Sequence, residues 1–528
     1  MGASSPYNAN ARTREGVVYT PPAVADHMVR DLLAYWLAAK TGAEVSRVQQ
    51  RLSRPESLKD EEADHLFTAT VVDPAVGDGI FLHSLIRRVL RALPPWRQKE
   101  ARRWFQTRVW GWDTDPNPLQ RLSTALPVSV RLRVGDFLFQ DRPPAVDMYI
   151  SNPPYVRQER LSRAYKQNLR ARFQVLFPDL SLSRRSDYYL YFLLAMLSRL
   201  APQGVCTSIL PTSWMETEFG APVRELIGQN YTLLQLEASA RLRHFREEVN
   251  TVIAHIQNRV PTDRTEITLR RDGTSRHLPH VHLQQEWSNW YGTLFRAPEW
   301  MLELIRNPDR CIPLSRLAQI RAGIITGNNR RYYRPQPESG HVPVIRSPRE
   351  VTSLTVRENQ TRWWLPTEGV PYAIRTAPLL WPDLRGERHF VVYNPGRLAF
   401  EHTFYGLEPL RGEDTRLALL LNSLWVAVVL EILGRTSLGG GAVRLVKADL
   451  LRLPLPRPDR IAWEKIDPGF LDLDVARADP RQTHPLRKRL DREVLEALGI
   501  RSRQAELHQL LLNCIQQRQL KARTIPHG

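Results

Sequence analysis

Asparagine, two prolines and a tyrosine in succession, Asn152-Pro153-Pro154-Tyr155, combine a side-chain acceptor with a backbone that cannot flex. Proline fixes its own φ and carries no N–H, so Pro153 and Pro154 stiffen the loop and leave carbonyl oxygens as acceptors. Such a loop suits an amino group whose lone pair is delocalised into a planar ring, a poor nucleophile until its nitrogen is drawn towards tetrahedral geometry. The Asn152 side-chain oxygen and the Pro153 carbonyl are the two acceptors for its protons. Tyr155 offers a ring on which the base carrying that amine can stack. Alignment with an electrophilic methyl group supplies much of the barrier reduction and fixed dipoles a further part, with no metal and no covalent enzyme intermediate. Taken alone, the same four residues could also be simply a stiff turn.

The elements around the loop decide between these readings. A strand over Val146–Ile150 runs into Ser151 and Asn152. Earlier, the β-branched run Thr68–Asp73 leads into Pro74-Ala75-Val76-Gly77-Asp78-Gly79, then into a helix from Phe81 to about Leu93. Glycines at a strand end let backbone approach a ligand closely. The turn lacks the GxGxxG spacing of a dinucleotide site and the GK[ST] ending of a phosphate loop. Its acids, Asp73 and Asp78, suit a cationic ligand with an ammonium and a sulfonium. The next strand, Arg108–Trp112, ends at Asp113, placed to accept both ribose hydroxyls or to cap a helix, a task also open to Asp115. A third, Val128–Val134, ends at Gly135-Asp136. Asp136 is placed to accept from an adenine amino group, with Phe137 packing on the ring, or serves as a cap. Three acids at three successive strand ends point to a nucleoside-containing cofactor.

Strand, glycine turn and helix in alternation predict an α/β fold with a Rossmann-like, open, mostly parallel sheet over residues 1–261. A helix over Val24–Lys40 precedes it, and the charged stretch Arg47–Asp64 reads as a surface helix or loop. A helix over Tyr188–Leu200 is followed by a turn at Pro202-Gln203-Gly204 and a strand over Val205–Leu210, with further strands at Leu233–Leu236 and Val252–Gln257. Residues 262–458 read as a separate mixed α/β domain of short strands with a long helix over Thr415–Leu433, ending in a proline-rich linker, Arg452–Pro458. Residues 459–528 read as linker and basic helical tail.

A chain of 528 residues exceeds one hydrophobic core. Its formal charge of +19, from 74 basic and 55 acidic side chains, favours a polyanionic partner. Cys206, Cys311 and Cys514 form neither a CxxC pair nor a zinc-ligand spacing, and read as reduced thiols. No apolar run is long enough for a bilayer, and Met1-Gly2-Ala3-Ser4-Ser5 lacks the basic-then-apolar pattern of a secretion signal, so a cytoplasmic protein without a membrane partner is expected. No nuclease constellation stands out.

These motifs resemble those of bacterial N6-adenine-specific DNA methyltransferases, the amino-group methyltransferases of restriction-modification and phage-defence systems, in which a target-recognition domain follows the catalytic one. The resemblance is specific over about residues 14–260. It implies S-adenosyl-L-methionine as cofactor. It assigns Tyr19, Thr20 and Pro21 to cover its methionine part, Asp73, Ala75, Gly77, Asp78, Gly79 and Phe81 to the glycine turn, Asp113 to the ribose, and Asp136 and Phe137 to the adenine side. Asn152, Pro153, Pro154 and Tyr155 match the catalytic tetrad, Phe245 matches an aromatic that sandwiches a flipped adenine, and Asp187 helps shape the pocket. The resemblance continues more weakly through Ala322–Asn329, Leu420–Ser423 and Gly439–Leu445. The charged stretch before the first strand departs from compact members and reads as an insertion or a partner-binding surface.

A duplex buries the adenine amine in the base stack, so the nucleotide must be flipped out while a second surface holds the double-stranded DNA. The 262–458 domain is assigned that task, with Arg330, Arg331 and Arg334 as contacts to phosphates or bases, or as a solvated basic loop. Other subunits of a restriction or defence system are possible partners. Asn-Pro-Pro-Tyr also occurs in enzymes that methylate protein glutamine or ribosomal RNA bases, which are usually shorter and lack a comparable second domain. A catalytically silent DNA-recognition subunit is the third reading.

Overall fold

The computed structural model describes residues 20–140, 143, 145–238, 250–271, 273–283, 289–435, 441–444 and 446–523. The chain divides into two compact units, Met1–Trp290 and Tyr291–Gly528.

The first unit is built on a nine-stranded sheet: β1 (Val71–Asp73), β2 (Val109–Asp113), β3 (Arg131–Val134), β4 (Val146–Ser151), β5 (Leu200–Pro211), β6 (Thr232–Ala238), β7 (Thr251–Gln257), β8 (Glu266–Arg271) and β9 (Thr274–Pro279), in the order β3-β2-β1-β4-β5-β7-β6-β8-β9. The run β3-β2-β1-β4-β5 is parallel, and β7 lies antiparallel between β5 and β6. Strand order reverses between β1 and β4. In an open α/β sheet, the crevice beyond the carboxyl ends of two such strands is left uncovered by crossovers and is where ligands bind. The sheet continues past residue 261, because β8 pairs with β6 and β9 with β8.

Eight helices of this unit frame the site: α1 (Pro22–Thr41), α2 (Val45–Ser53), α3 (Asp60–Thr68), α4 (Ile80–Ala92), α5 (Gln98–Arg108), α6 (Pro116–Ala125), α7 (Arg163–Leu176) and α8 (Tyr188–Leu197). Successive strand residues face opposite ways. Met148 and Ile150 of β4 join the core formed with α1 to α5, while Tyr149 between them meets Phe137, whose ring stacks on Phe192 of α8 at 6.1 Å. Helix α8 therefore covers the other face, and all ten of its residues are buried. Its polar ends and complete enclosure explain an apolar helix too short for a bilayer.

Several expectations change or narrow. The charged stretch before β1 takes the helical form of the two left open, as α2 and α3, and it is packed: Val48, Leu52, Leu58, Ala63 and Leu66 are buried in the same core, and Arg51 donates to the buried Glu62 carboxylate. Its charges mark the outer faces of α2 and α3, which the density of charge concealed. Pro202-Gln203-Gly204 lies within β5, not before it. Leu200 already pairs with Val146, and the register shifts before Val205 pairs with Met148, with Gln203 at φ 61° absorbing the bulge.

Further changes lie in the second unit. It contains a four-stranded sheet of Ala318–Ala322, Phe404–Pro409, Leu379–Pro382 and Val392–Tyr393, and a three-stranded sheet of Trp363–Pro366, His341–Ile345 and Ala399–Phe400. The long helix expected over Thr415–Leu433 is two, Asp414–Leu421 and Leu424–Leu433, bent by 60° at Asn422-Ser423, where Ser423 caps the second by accepting from Val426 N. Pro454–Pro456, expected as linker, is a buried strand paired with Cys311–Pro313. The helical tail packs into this unit. Leu490, Val494, Leu507 and Leu511 are buried, and Arg518 reaches Glu431 at 3.0 Å, both side chains nearly fully enclosed. Among the described residues no single helix is long and apolar enough to cross a membrane.

Candidate active site

The glycine turn leaves β1 at Asp73. Val76 N donates to Trp112 O at 2.8 Å and Gly79 N to Val76 O at 2.8 Å, closing the turn over the end of β2. Gly77 and Gly79 have φ of +50° and +76°, the left-handed region that side chains resist, and at Gly79 a Cβ would lie 2.3 Å from a Leu122 methyl. Gly77 meets no atom within 4 Å of where its Cβ would be, so its backbone is open to an approaching ligand.

Two carboxylates hold this turn. Asp73 Oδ1 accepts from Ala75 N at 3.2 Å, whereas Oδ2 is buried without a hydrogen-bond partner. Burial, with the Asp113 charge adding to it, pushes the Asp73 carboxyl up to about 8. Asp113 accepts from Gly77 N at 3.0 Å and from Asp115 N at 2.9 Å, and burial raises its pKa despite these bonds. Asp115, not Asp113, caps α6, by accepting from Asn117 N at 2.9 Å. Asp113 thus stays at the strand end and faces a cleft.

That cleft has a volume of about 360 Å³ and lies beyond the ends of β1, β2 and β4. Of the residues singled out from the sequence, Thr20, Ala75, Gly77, Asp78, Phe81, Asp113, Phe137, Asn152 and Pro154 line it. The catalytic-loop and glycine-turn candidates, about 75 residues apart in sequence, thus face one space. Pro21, Asp73, Gly79, Asp136, Pro153 and Tyr155 are not among its lining residues. Tyr19 and Phe245 lie outside the described residues. Pro74, Val76, Ile80, Thr114, Gly135, Tyr188 and Phe192 also line the cleft. Tyr188 and Phe192 went unassigned because α8 reads as uniformly apolar; their i,i+4 spacing, two aromatics on one face, was the available signal.

Asn152 Nδ2 donates to Thr20 Oγ1 at 3.2 Å. An amide carries its nitrogen and oxygen on opposite arms, so this bond orients the Asn152 oxygen. Tyr155 OH donates to Ile209 O at 3.2 Å, and its ring meets Tyr189 edge-on at 6.3 Å. Asp187 precedes α8 and accepts from Gln158 N at 3.3 Å; burial lifts its carboxyl to about 6. Asp136 accepts from Leu138 N at 2.9 Å and from Tyr165 OH at 2.5 Å. Asp136 is not among the residues that line the cleft; the Tyr165 hydroxyl bonded to it lies 2.8 Å from that of Tyr188, which is.

In the second unit, Arg330 and Arg331 are exposed on the short helix Asn329–Tyr332, capped by Asn328 after Gly327 at φ +71°. Arg334 differs, since it donates to Arg331 O at 2.9 Å and stands 3.9 Å from Glu338.

Residues 141–241, which include the Asn152 loop, match the Eco57I restriction-modification methylase family. The chain is 24% identical over 395 residues to the Type II methyltransferase M.XhoI of Xanthomonas vasicola, covering 61% of this chain and 70% of that one. It is 25% identical over 397 residues to the Type II methyltransferase M.PaeR7I of Pseudomonas aeruginosa, covering 62% and 67%. In fold it is similar to the Type IIL restriction-modification enzyme MmeI, solved in complex with DNA, with a TM-score of 0.60 at 13% identity over 97% of this chain and 80% of that one. Switch-point cleft, glycine turn and Asn-Pro-Pro-Tyr loop agree with these matches, all of which are to methyltransferases or enzymes of bacterial restriction-modification systems.

Proposed function

We propose that the protein transfers the methyl group of S-adenosyl-L-methionine to the N6 amine of an adenine flipped out of double-stranded DNA. The observation that carries this reading is the single cleft shared by Asn152 and Pro154 with the glycine turn and Asp113. Its volume suits a nucleoside-sized ligand. The residues fit that cofactor in kind: a carboxylate at the end of β2, backbone bared at Gly77, and the aromatic wall of Phe137 and Phe192.

When bound, S-adenosyl-L-methionine supplies an electrophilic methyl on a sulfonium. The chain's residues do the rest. Asp113 accepts from ribose hydroxyls. Thr20 fixes the Asn152 amide, so that its oxygen and the Pro153 carbonyl accept from the two amine protons and hold the nitrogen lone pair towards the methyl donor. The rigid prolines keep this geometry before the reaction begins, so little reorganisation is needed at the transition state. Tyr155, braced by Ile209 O, stacks on the extrahelical base. Arg330 and Arg331 contact the duplex, and Arg334 shapes the segment that carries them.

The intact Asn152 loop favours this over a silent recognition subunit. The second unit favours it over the shorter enzymes that act on glutamine or ribosomal RNA. Incubation with a methyl-labelled cofactor and duplex DNA, ribosomal RNA or protein tests the choice. Label should enter DNA alone; label in RNA or protein with none in DNA would overturn it.

A further inference from the structure

The segment that follows the catalytic loop carries a charge for which the reaction at the cleft has no use. Between residues 157 and 185 there are eight basic side chains and two acidic ones, so 29 residues supply about a third of the +19 net charge. Helix α7 organises them. Tyr165, Leu169 and Phe173, spaced four apart, are buried, while Arg163 and Arg170, seven apart, are exposed. Arg157, Arg184 and Arg185, in the flanking segments, are exposed as well. Among the described residues none of these five arginines has a carboxylate within salt-bridge distance. By contrast, Arg172 stands over the Phe139 ring and Lys166 donates to Gln158 Oε1, so the cations nearer the interior are already engaged.

The buried face ties this surface to the chemistry. Tyr165 OH donates to Asp136 Oδ2 and lies 2.8 Å from the hydroxyl of Tyr188, a residue that lines the cleft. Tyr188 N donates to Val156 O and Gln158 N to Asp187 Oδ1, which pins Arg157 five residues beyond Asn152. Arg157 shares the field of the Asp187 carboxylate, and the remaining exposed guanidinium groups leave a net positive surface beside the loop, which attracts a polyanion. Arg163 and Arg170 lie about 10 Å apart along α7 at 1.5 Å per residue. That spans about three nucleotides of one strand at ~3.4 Å each.

We propose that the exposed face of α7 and its flanks form a second DNA-backbone surface, in the catalytic unit itself, gripping phosphates beside the flipped nucleotide. From the sequence, the 262–458 domain alone was expected to hold the duplex; this surface adds a clamp at the reacting end. The inference rests on the proposed DNA substrate, and the test keeps the two apart.

The test uses the full-length triple variant Arg157→Gln/Arg163→Gln/Arg170→Gln, with Arg47→Gln, an exposed arginine of α2, as charge control. Duplex binding is measured against salt for all proteins, together with cofactor affinity. The triple variant should lose about tenfold or more in affinity at moderate salt. Its slope of log K against log salt should fall by about two to three, near 0.9 for each phosphate no longer neutralised. Cofactor affinity and the Arg47→Gln slope should match the wild type. A wild-type slope in the triple variant, while the wild type binds duplex, would overturn the clamp and leave the substrate intact. If instead the wild type neither binds nor methylates duplex, the substrate reading fails and takes this one with it. A slope loss per charge removed that Arg47→Gln matches would also overturn it, since net charge rather than position would then be responsible.

Discussion

Asn152 donates its side-chain N–H to the Thr20 hydroxyl across 3.2 Å, bridging 132 residues of sequence. The bond joins the Asn152 loop to the segment entering α1, so the side-chain oxygen proposed as acceptor is aimed by an element that precedes the first strand in sequence. Thr20→Val keeps the shape and removes the acceptor. It should lower kcat about tenfold or more while leaving base stacking and DNA affinity near wild type, because a misoriented acceptor costs chiefly in the transition state. Single-turnover kinetics with saturating cofactor would check this; unchanged turnover would remove Thr20 from the positioning role.

Asp113→Ala removes the acceptor at the end of β2. Hydrogen bonds to a charged group contribute about 1.5–3 kcal/mol each, so cofactor affinity should drop roughly 10- to 100-fold. Isothermal titration reads this directly. Asp115→Ala should leave affinity nearly unchanged, because Asp115 caps α6 instead. Equal losses in both variants would indicate damage to the turn rather than loss of a ribose partner.

Asp73 makes a pH prediction of opposite sign to the usual carboxylate. Its folded pKa of about 8 lies above the unfolded value near ~3.9. Between those values the folded state binds the extra proton, so this group lowers stability as pH rises from about 4 to 8. Asp73→Asn, which cannot ionise, should flatten that decline, melting closer to or above the wild type at pH 8.5 than at pH 5. A melting profile with the same slope in both proteins would contradict it.

Arg518 in the C-terminal helix is predicted to matter for stability rather than for DNA. Arg518→Ala leaves the buried Glu431 with Arg385 alone, at 3.2 Å, and should cost about 3 kcal/mol with little change in duplex affinity. Denaturant unfolding with a parallel binding assay separates the effects.

Much of the site was legible because parallel strands write their function at their ends. Asp73, Asp113 and Asn152 each follow a short β-branched or apolar run, and β1, β2 and β4 set them side by side. What stayed hidden depends on partners remote in sequence. Arg518 looks like a surface cation until Glu431 is seen against it, and Pro454–Pro456 looks like linker until Cys311–Pro313 supplies its pairing. Asp136 reads as aimed at a ligand; the hydroxyl of Tyr165, 29 residues on, takes its free oxygen, and Tyr188 stands at the cleft instead. The bend at Asn422-Ser423 was masked by continuous apolar character, which carries no mark of direction.

The most direct test compares the wild type with Asn152→Ala, digesting methylated duplex DNA to nucleosides and identifying the modified one by mass spectrometry. N6-methyldeoxyadenosine should form with the wild type, at least about 100-fold less of it with the variant, and cofactor affinity should be nearly equal in both. Modified cytosine in place of adenine, or undiminished methylation by Asn152→Ala, would contradict the assignment of Asn152 to an adenine amine.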